Sequence, residues 1–433
     1  MSVREVAQML NDYGARLHGE RRYHSSVSAF ARAVRTDPQC AEAYNGLGVA
    51  LMNLGRYEEA EPAYRRALEL NPKSGSAWAN LALLLNGTGR SVESEEAFDK
   101  ALQFNPGDLG ARWNRSNVLL ERGEWQRGLD EYETRIPFRG APNFPKMPYP
   151  MWDGEDLSGK TIYIQAEQGI GDRILCSRYL PLLKQKFPTC TILYLSKPQM
   201  HALMWEFRDV VTFLPEGIPW PKADYGLFEM SLIRYFSTTV GSVPADPSLL
   251  KKRALQASGE GGTALKLTFP AMKVGLCWTG NPEQDRNAER SVPLELLLPF
   301  AEDPNVVLVN LQVGSRDIQR LGAEQLICDI SNDLVGQLHR TASTILELDL
   351  VITCCTSIAH LAGALGVPTI VMLCHNPYWV WLKDRDDSVW YPSVRLVRQP
   401  KPNDWTSVVT QVQALLDERV RAWTDSPMTA KAV

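Results

Sequence analysis

The sequence lacks three features that would assign it to a specialised class of protein. Its eight cysteines include no C-x-x-C pair and are too few in 433 residues to form a disulfide framework. No apolar run approaches the ~20 residues that cross a bilayer. The N-terminal segment also contains no apolar core of a secretory signal. We therefore expect a soluble protein without a membrane span, located in a reducing compartment, the cytoplasm.

A strong charge of one sign is missing as well. The 46 Lys and Arg residues nearly balance 50 Asp and Glu residues, which leaves a formal net charge of -4. Such a chain has no general attraction for nucleic acid or for an anionic membrane, so its recognition sites are expected to be local. Its length predicts two to four folded domains, at about 100 to 200 residues each.

What the sequence does contain is a repeat with a period of 34 residues. Its apolar positions stripe two successive helices, small residues lie where the helices touch, and a proline ends the second helix. Three repeats match the pattern well, and a fourth, around Leu119 to Tyr132, matches it only in part. The residues with counterparts one period later are Tyr44, Leu47, Gly48, Leu51, Gly55, Ala60, Tyr64, Ala67 and Pro72.

This pattern resembles the tetratricopeptide repeat and covers about residues 5–138. The resemblance implies a solenoid of helix pairs with a groove for a protein partner. Residues 1–138 hold 19 acidic and 17 basic side chains, so the groove is not expected to be an electrostatic clamp for a charged tail.

One asparagine recurs near the groove-facing side of the first helix of each repeat. Its amide can hold a peptide backbone through hydrogen bonds, or it can be a solvated polar position, and both interpretations stay open. In either case the repeats are expected to bind protein and to carry no chemistry. The four residues are Asn11, Asn45, Asn80 and Asn114.

The composition changes after Arg139, where the Pro- and Gly-rich stretch GAPNFPKMPYPMWDG ends the solenoid. Apolar runs then alternate with helical patterns in two series, separated by a polar stretch at 243–263. We predict strands at 161–165, 191–195, 210–214, 225–230, 273–278, 306–313, 350–353 and 369–373. We predict helices at 172–187, near 293–301, at 334–346, between the last two strands and at 405–423.

The two series predict the fold class α + α/β, with a helical solenoid followed by two Rossmann-like domains and a cleft between them. The predicted boundaries are 1–138 for the solenoid, 139–262 and 263–403 for the two Rossmann-like domains, 404–424 for a last helix and 425–433 for a disordered tail.

Ligands of a parallel sheet bind at the carboxyl ends of its strands, and the first such place is the segment 165–172, QAEQGIGD. It lacks the third glycine of a dinucleotide fingerprint. Asp172 alone would be interpreted as a helix N-cap. The run GIGDRILCSRYLPLL resembles, however, the G-x-G-D segment of heptosyltransferase-like enzymes, which are inverting GT-B glycosyltransferases. The resemblance implies that Asp172 is the catalytic base and that Gln168, Gly169 and Gly171 form an acceptor-side loop.

The second place is the segment 274–293, with the motif VGLCWTGNP and an arginine after it. It is similar to the strand-end segment with which the same family holds the phosphates of the donor. The match assigns donor binding to Thr279, Gly280 and Arg290, and Gln312 on the following strand joins this set. A cation and oriented amides stabilise the charge of a departing nucleotide without a metal. The alternative is a surface loop with solvated arginines.

The third place is the segment 349–368, where a strand is followed by a helix that opens with Thr356 and Ser357. A helix N-terminus that carries hydroxyls favours an anion. The segment is similar to the family pattern D-T-S/G-x-x-H-L-A, which implies that Thr356, Ser357 and His360 contact the donor phosphates; a lone histidine otherwise indicates a structural position. The chain departs from the pattern at Cys355, which replaces the aspartate and bears on donor identity and on activity itself.

The aromatic-rich segment 375–395 comes next. It resembles the sequence that follows this site in bacterial proteins that fuse tetratricopeptide repeats to such a domain. Core packing accounts for most of its aromatic residues, while Trp381 and Arg385 are expected to border the donor pocket.

As a whole, the resemblance implies an inverting glycosyltransferase that needs no metal and no cofactor. The implied donor is a nucleotide sugar, CMP-nonulosonic acid or a UDP-, GDP- or ADP-sugar. The implied acceptor is a Ser or Thr hydroxyl of a protein docked by the repeats, with flagellin favoured. The alternative is a scaffold whose glycosyltransferase-like domain is degenerate, and a third interpretation is transfer to a small molecule or lipopolysaccharide. The oligomeric state stays open.

Overall fold

The computed structural model describes residues 1–139, 144–167, 169–245, 248–257, 269–284 and 286–425. The chain divides into two compact units, Met1–Gly140 and Ala141–Val433. The predicted boundary at 262–263 and residues 426–433 of the predicted tail lie outside the described residues.

The first unit is a succession of helices that pack in pairs. Inside three of the pairs the connecting turn carries a glycine in the left-handed region, where Gly55, Gly89 and Gly123 have φ of 71°, 84° and 83°. The helices are α1 (Val3–Gly19), α2 (Tyr23–Thr36), α3 (Ala41–Asn53), α4 (Tyr57–Leu70), α5 (Gly75–Gly87), α6 (Ser91–Phe104), α7 (Leu109–Glu121), α8 (Trp125–Tyr132) and the short α9 (Arg135–Arg139).

The small residues of the repeat lie where its two helices touch, as predicted. A Cβ atom on Gly48 would lie only 2.6 Å from Cε1 of Tyr64 on the second helix of the same pair. Ala60 is completely buried. Polar caps begin the first helices, since the side chains of Ser74 and Asp108 accept hydrogen bonds from backbone N–H groups of α5 and α7.

The second unit contains two parallel sheets. The first series of elements comprises β1 (Thr161–Gln165), α10 (Ile170–Cys176), α11 (Tyr179–Lys186), β2 (Thr191–Leu195), α12 (Pro198–Leu203), β3 (Thr212–Leu214), β4 (Tyr225–Phe228), α13 (Ser231–Tyr235) and α14 (Leu249–Ala257). Its sheet has the strand order β3-β2-β1-β4, with all pairs parallel.

The second series continues from β5 (Met272–Cys277) through α15 (Asn287–Arg290), β6 (Val306–Asn310), α16 (Asp317–Leu321), β7 (Ile327–Asp329), α17 (Ser331–Leu334), α18 (Leu338–Leu346), β8 (Leu350–Cys354), α19 (Ser357–Leu365), β9 (Thr369–Leu373), β10 (Val394–Arg398) and α20 (Trp405–Thr424). Its strand order is β10-β9-β8-β5-β6-β7, again all parallel.

Both sheets begin with a central strand. β1 lies between β2 and β4, and β5 lies between β6 and β8, so the strand order reverses beside each of them. Crevices at such reversal points are the places where open parallel sheets bind ligands. The α + α/β class is therefore confirmed, and the two carboxyl edges are the places to examine for a site.

Two segments that were each predicted to be one continuous α-helix are divided into shorter helices. The helix predicted at 172–187 is two helices, α10 and α11, because the chain turns at 177–178 and buries Arg178. The helix predicted near 293–301 is two short 3₁₀ segments, Leu294–Leu296 and Leu298–Glu302. Pro299 removes a backbone donor there, which prevents a continuous α-helix.

Other predictions missed elements or misplaced their ends. The strand predicted at 210–214 begins at Thr212, the strand at 306–313 ends at Asn310, and the helix at 334–346 is split into α17 and α18. The polar stretch at 243–263, in which no element was predicted, contains α14, and the strands β7 and β10 were not predicted at all. β7 has only three residues, too few for a clear pattern.

Candidate functional site

Asp172 lies at the carboxyl edge of the first sheet, in the first turn of α10. The helix begins at Ile170 with Gly169 as its N-cap, so the interpretation of Asp172 as the N-cap itself was wrong. Its Oδ2 accepts a hydrogen bond of 3.0 Å from the backbone N–H of Gly169. Burial raises the pKa of the carboxyl group to about 6, against the lowering effect of a hydrogen bond from Tyr378. Asp172 is thus mostly ionised at neutral pH and easily protonated.

Helices α10 and α19 pack against each other, which brings the first and third sequence motifs together. The contact is close, because a Cβ atom on Gly171 would lie 2.6 Å from Cδ2 and 3.2 Å from Nε2 of His360. Nδ1 of His360 lies 3.1 Å from the hydroxyl of Tyr391. Burial, together with the charge of Arg178, lowers the pKa of His360 to about 3. The imidazole is therefore neutral and can act only as a neutral donor or acceptor.

A second group of predicted residues meets at the carboxyl edge of the second sheet. The side chain of Gln312 accepts a hydrogen bond of 3.0 Å from the backbone N–H of Thr279. The thiol of Cys277, at the end of β5, donates to the same Gln312 oxygen at 3.2 Å and lies 3.6 Å from the hydroxyl of Thr356. Sequence reasoning missed Cys277, although its place at the end of the first strand was a usable signal.

Arg290 reaches across this edge toward the loop after β8. Its Nη1 donates to the carbonyl oxygen of Cys355 at 3.2 Å, and its Nε donates to Asn287 at 3.3 Å. Gly280 is required for this approach, because a Cβ atom there would collide with the guanidinium group. Ser357 begins α19 and is half-buried.

Cys355, which replaces the aspartate of the family pattern, is integrated into the site. Its Sγ accepts a hydrogen bond of 3.0 Å from the indole N–H of Trp381, and burial raises the pKa of the thiol. The ring of Trp381 lies 5.0 Å from that of His360, measured between centroids. Arg385, also predicted at the donor pocket, pairs instead with Asp387 two residues further on.

These contacts form one continuous series, which we call the contact series: Arg290, Cys355, Trp381, His360 and Gly171. It connects the edge of the second sheet with the helix that carries Asp172. Most of the predicted residues of the second unit lie in this series or beside it. Gln168 lies outside the described residues.

Several polar residues at the same edge as Asp172 were not predicted, and all of them except the half-buried Glu167 are buried. Glu167 follows β1, Ser196 follows β2, and Glu229 follows β4, so all three lie at the carboxyl edge of the first sheet. Arg173 and Tyr194 are buried beside them. The positions of Glu167, Ser196 and Glu229 directly after strands were a usable signal, because ligands of a parallel sheet bind at that edge.

The four asparagines of the repeats are half-buried on the first helices of their pairs. The side-chain amide of Asn80 donates a hydrogen bond of 3.0 Å to the side-chain oxygen of Asn45 on the preceding first helix. Asn11 lies on α1 and Asn114 on α7. The amides of Asn45 and Asn80 are thus placed in register on neighbouring repeats.

The described residues contain neither a cluster of metal ligands nor a membrane-spanning helix. No group of three His, Cys, Asp or Glu side chains that could hold a metal ion occurs in that part of the chain. Among the same residues, no helix has the length and apolar character required to cross a membrane.

Comparison with known proteins identifies the repeats. The tetratricopeptide repeat family model matches residues 19–74 and 50–108, which confirms the predicted repeats in that region. Such repeats are protein-interaction modules.

One curated relative extends beyond the repeats. Protein FlbA of Caulobacter vibrioides (strain ATCC 19089 / CIP 103742 / CB 15) is 29% identical over 325 residues, which are 70% of this chain and 54% of that protein. The chain therefore spans about half the length of the curated relative that it matches.

Solved structures match a smaller share of the chain. A crystal structure of MamA is 21% identical and covers 31% of this chain and 78% of its own, with a TM-score of 0.29. The tetratricopeptide repeat domain of Arabidopsis OM64 is 17% identical and covers 27% of this chain and 97% of its own, with a TM-score of 0.27.

Proposed function

We propose that this chain is a GT-B glycosyltransferase of the cytoplasm, which moves a sugar from a nucleotide donor to a hydroxyl group of a protein docked by its tetratricopeptide repeats. The observation that carries the proposal is the contact series. It connects Asp172, a buried carboxyl group with a raised pKa, with the cation Arg290 and the hydroxyl group of Thr356 at the edge of the second sheet.

In the proposed reaction Asp172 accepts the proton of the acceptor hydroxyl. The acceptor oxygen forms a bond to the anomeric carbon of the sugar, while the bond from that carbon to the phosphate oxygen breaks on the opposite face. With a pKa of about 6, Asp172 is ionised at neutral pH and still basic enough to take the proton. The configuration of the sugar is inverted, because a single displacement occurs.

The leaving nucleotide carries the electron pair of the broken bond as negative charge on its phosphate. Arg290, the hydroxyl groups of Thr356 and Ser357 and the N-terminus of α19 are the groups placed to stabilise it. No step of this reaction needs a metal ion or a cofactor. The donor would be CMP-nonulosonic acid or a UDP-, GDP- or ADP-sugar.

The replacement of aspartate by Cys355 is compatible with this proposal. The thiol is held by Trp381 and the backbone carbonyl of Cys355 by Arg290, so the loop after β8 is fixed without a carboxylate. Removal of a negative charge beside an anionic donor also removes electrostatic repulsion.

The repeats supply the protein-binding part of the proposal. The acceptor would be a protein with an accessible Ser or Thr hydroxyl, and flagellin is the candidate that the sequence resemblance favours. A soluble sugar acceptor would need no such module, which argues against transfer to a small molecule.

The substitution of Asp172 by asparagine tests the assignment of the base. Asp172→Asn keeps the size of the side chain and removes its basicity, so turnover should fall by ~100- to 10,000-fold while donor affinity is kept. Asp209→Asn, at an exposed carboxylate in the same half of the unit, is the matched control. Full transfer by the Asp172 variant would exclude this residue as the base.

A scaffold with a degenerate domain is the second candidate, and the neutral Cys355 thiol is the observation that favours it. The two candidates differ in donor binding. Thermal unfolding of the full chain should shift upward with at least one of the CMP, UDP, GDP or ADP sugars. Absence of a shift with all four classes would favour the scaffold.

A further inference from the structure

The carboxyl edge of the first sheet contains five polar side chains, four of them buried, that the proposed reaction does not use. We call this group the strand-end cluster and define it as Glu167, Arg173, Tyr194, Ser196 and Glu229. Three of its members follow three neighbouring strands, β1, β2 and β4. The cluster thus lies where the strand order of this sheet reverses, which is the usual position of a ligand in an open parallel sheet.

Arg173 is the unusual member of the strand-end cluster. Its side chain is almost completely buried, with 5% exposure. Within the described part of the chain, neither its Nε nor its Nη1 has a hydrogen-bond partner. An unpaired guanidinium group is costly to bury, since the protein must remove its water shell without replacing the lost interactions.

Ser196 provides a second unpartnered donor at the same edge. Its Oγ is buried and has no hydrogen-bond partner among the described residues. Because side chains two residues apart project to the same side of a strand, Ser196 continues the face of β2 that carries Tyr194. Arg173 lies in α10, the helix that follows β1, and β1 pairs with β2 as far as Gln165 and Leu195, so Arg173 and Ser196 follow the ends of adjacent strands. The two unpartnered donors therefore belong to one region.

The carboxyl group of Glu229 does not neutralise Arg173. Glu229 accepts a hydrogen bond of 2.7 Å from the hydroxyl of Tyr194 and is completely buried. Burial raises its pKa to about 8, even though Arg173 acts in the opposite direction. At neutral pH Glu229 is therefore mostly protonated, and the positive charge of Arg173 is left without a compensating anion from this neighbour.

We propose that Arg173, assisted by Ser196, binds an oxyanion of the substrate, a carboxylate or a phosphate group, at the edge of the first sheet. The inference rests on the proposed function for the identity of the ligand as a substrate. It narrows the substrate class to molecules that carry an acidic group, and it places that group at the same sheet edge as Asp172. A guanidinium group suits this role, since it stays charged and offers several N–H donors to oxygen.

Direct binding to the full chain tests the inference without any turnover. The probes are glucuronic acid for a sugar carboxylate, inorganic phosphate for a phosphate group, and glucose as the uncharged counterpart, measured by isothermal titration calorimetry. Arg173→Met keeps the length of the side chain and removes the charge. It should weaken the binding of one of the two anions by roughly 10- to 100-fold, and glucose should not bind in competition.

The anion that loses affinity identifies the source of the oxyanion. Loss of glucuronic acid binding indicates an acidic sugar, and loss of phosphate binding indicates a phosphorylated group. Arg173→Met does not change the affinity for phosphate that binds at Arg290, so only the difference between the wild-type chain and the variant is attributed to Arg173. Equal affinities of the wild-type chain and the variant for both anions would overturn the inference, as would absence of binding to the wild type.

A matched control and a stability measurement separate binding from a structural role. Arg253 is also buried in this half of the unit, but its Nε donates to the carbonyl oxygen of Ala202. Arg253→Met should lower the thermal stability and keep the anion affinity. Arg173→Met should leave the stability unchanged or raise it, because it removes a buried guanidinium group that has two unpartnered nitrogen atoms.

Ser196→Ala keeps the test decisive if Arg173→Met does not fold. This substitution removes only a buried hydroxyl group and should weaken the same anion by a few-fold; an unchanged affinity would overturn the inference. The test is independent of catalysis. A chain that binds the anion through Arg173 but transfers no sugar would refute the proposed function alone. A chain that transfers sugar, and in which Arg173→Met changes neither the anion affinity nor the transfer rate, would refute only the present inference.

Discussion

Burial raises the pKa of Asp172, and two hydrogen bonds from different parts of the chain oppose that effect. One comes from the backbone of Gly169 in its own turn, and the other comes from the hydroxyl of Tyr378, a residue of the segment after β9. Both stabilise the ionised carboxylate, whereas burial favours the neutral form. Asp172 therefore keeps a pKa of about 6 only while the two sheets of the second unit hold their relation.

Tyr378→Phe should raise the pKa of Asp172, because it removes a hydrogen bond to the charged form. A lost charge-assisted hydrogen bond corresponds to roughly one pH unit. The acid limb of kcat/KM against pH, measured between pH 5 and 8, should therefore move upward by about that amount. Activity at pH 6 should fall more than activity at pH 8.

Tyr391→Phe is the control, because it removes another tyrosine hydroxyl of the same region. That hydroxyl lies against His360, whose pKa of about 3 is far below the acid limb. Its loss can change the rate but should leave the position of the limb unchanged. An acid limb that does not move in Tyr378→Phe, or that moves equally in both variants, would contradict this account.

A functional residue could be predicted when one short segment of the sequence contained the whole motif that identifies it. Asp172, Thr279, Arg290 and Thr356 each follow a strand within a recognisable motif, and they lie at the two sheet edges. Cys277 and Glu229 were missed, since their roles depend on neighbours far along the chain, Gln312 and Tyr194. No local pattern encodes such pairs.

At the scale of elements, the contact of α10 with α19 is the one that assembles the site. It depends on the absence of a side chain at Gly171, where His360 fills the space that a Cβ atom would need. The backbone of α10 is helical there, so the requirement for glycine comes from packing and not from φ.

Gly171→Ala should separate the two helices. The added methyl group would lie 2.6 Å from Cδ2 of His360, and overpacking of this kind typically costs ~1–3 kcal/mol. We expect a lower unfolding temperature of the second unit and a loss of kcat/KM that exceeds the loss of folded protein, since Asp172 moves with α10. Differential scanning calorimetry and initial rates measure the two effects.

Gly169→Ala is a suitable control, since Gly169 is the N-cap of α10, two residues before Gly171. A Cβ atom there meets only a carboxylate oxygen of Asp172 at 3.5 Å, an ordinary contact, and its φ of -71° suits alanine. This variant should remain close to the wild type in both measurements. Equal effects of the two substitutions would show that the start of α10 is sensitive to any added methyl group, and would contradict a specific role of the contact with α19.

The elements that the sequence predicted well are those with a strong periodic pattern. β1, β2, β5, β9 and α20 appear within a residue or two of their predicted ends. The break between α10 and α11 was not predicted, because the apolar pattern continues through it. The reason for the break lies in tertiary structure: Arg178 donates to the carbonyl oxygens of Pro244 and Trp390, on remote segments.

At the scale of the whole molecule, the chain combines a unit of repeats with a unit of two parallel sheets. The near-zero charge balance of the repeats indicates that a partner is recognised by shape and hydrogen bonds rather than by a charged tail. The amides of Asn45 and Asn80, hydrogen-bonded to each other at 3.0 Å on neighbouring first helices, are the best-defined groups for such recognition.

The double substitution Asn45→Ala and Asn80→Ala should therefore affect the acceptor and spare the donor. In the proposed transfer to flagellin, loss of two amide contacts should raise the KM for the acceptor by roughly tenfold, while the affinity for the nucleotide sugar should stay constant because the proposed donor site lies in the other unit. The control is Glu69→Ala. The side chain of Glu69 is exposed on the second helix of a repeat and pairs with Arg66, so this substitution should change neither value. Initial rates of transfer, followed by intact mass of the acceptor, give the KM, and calorimetry gives the donor affinity. A double variant with an unchanged KM would mean that these amides serve only to join neighbouring repeats, and the acceptor would then have to be recognised by another surface of the chain.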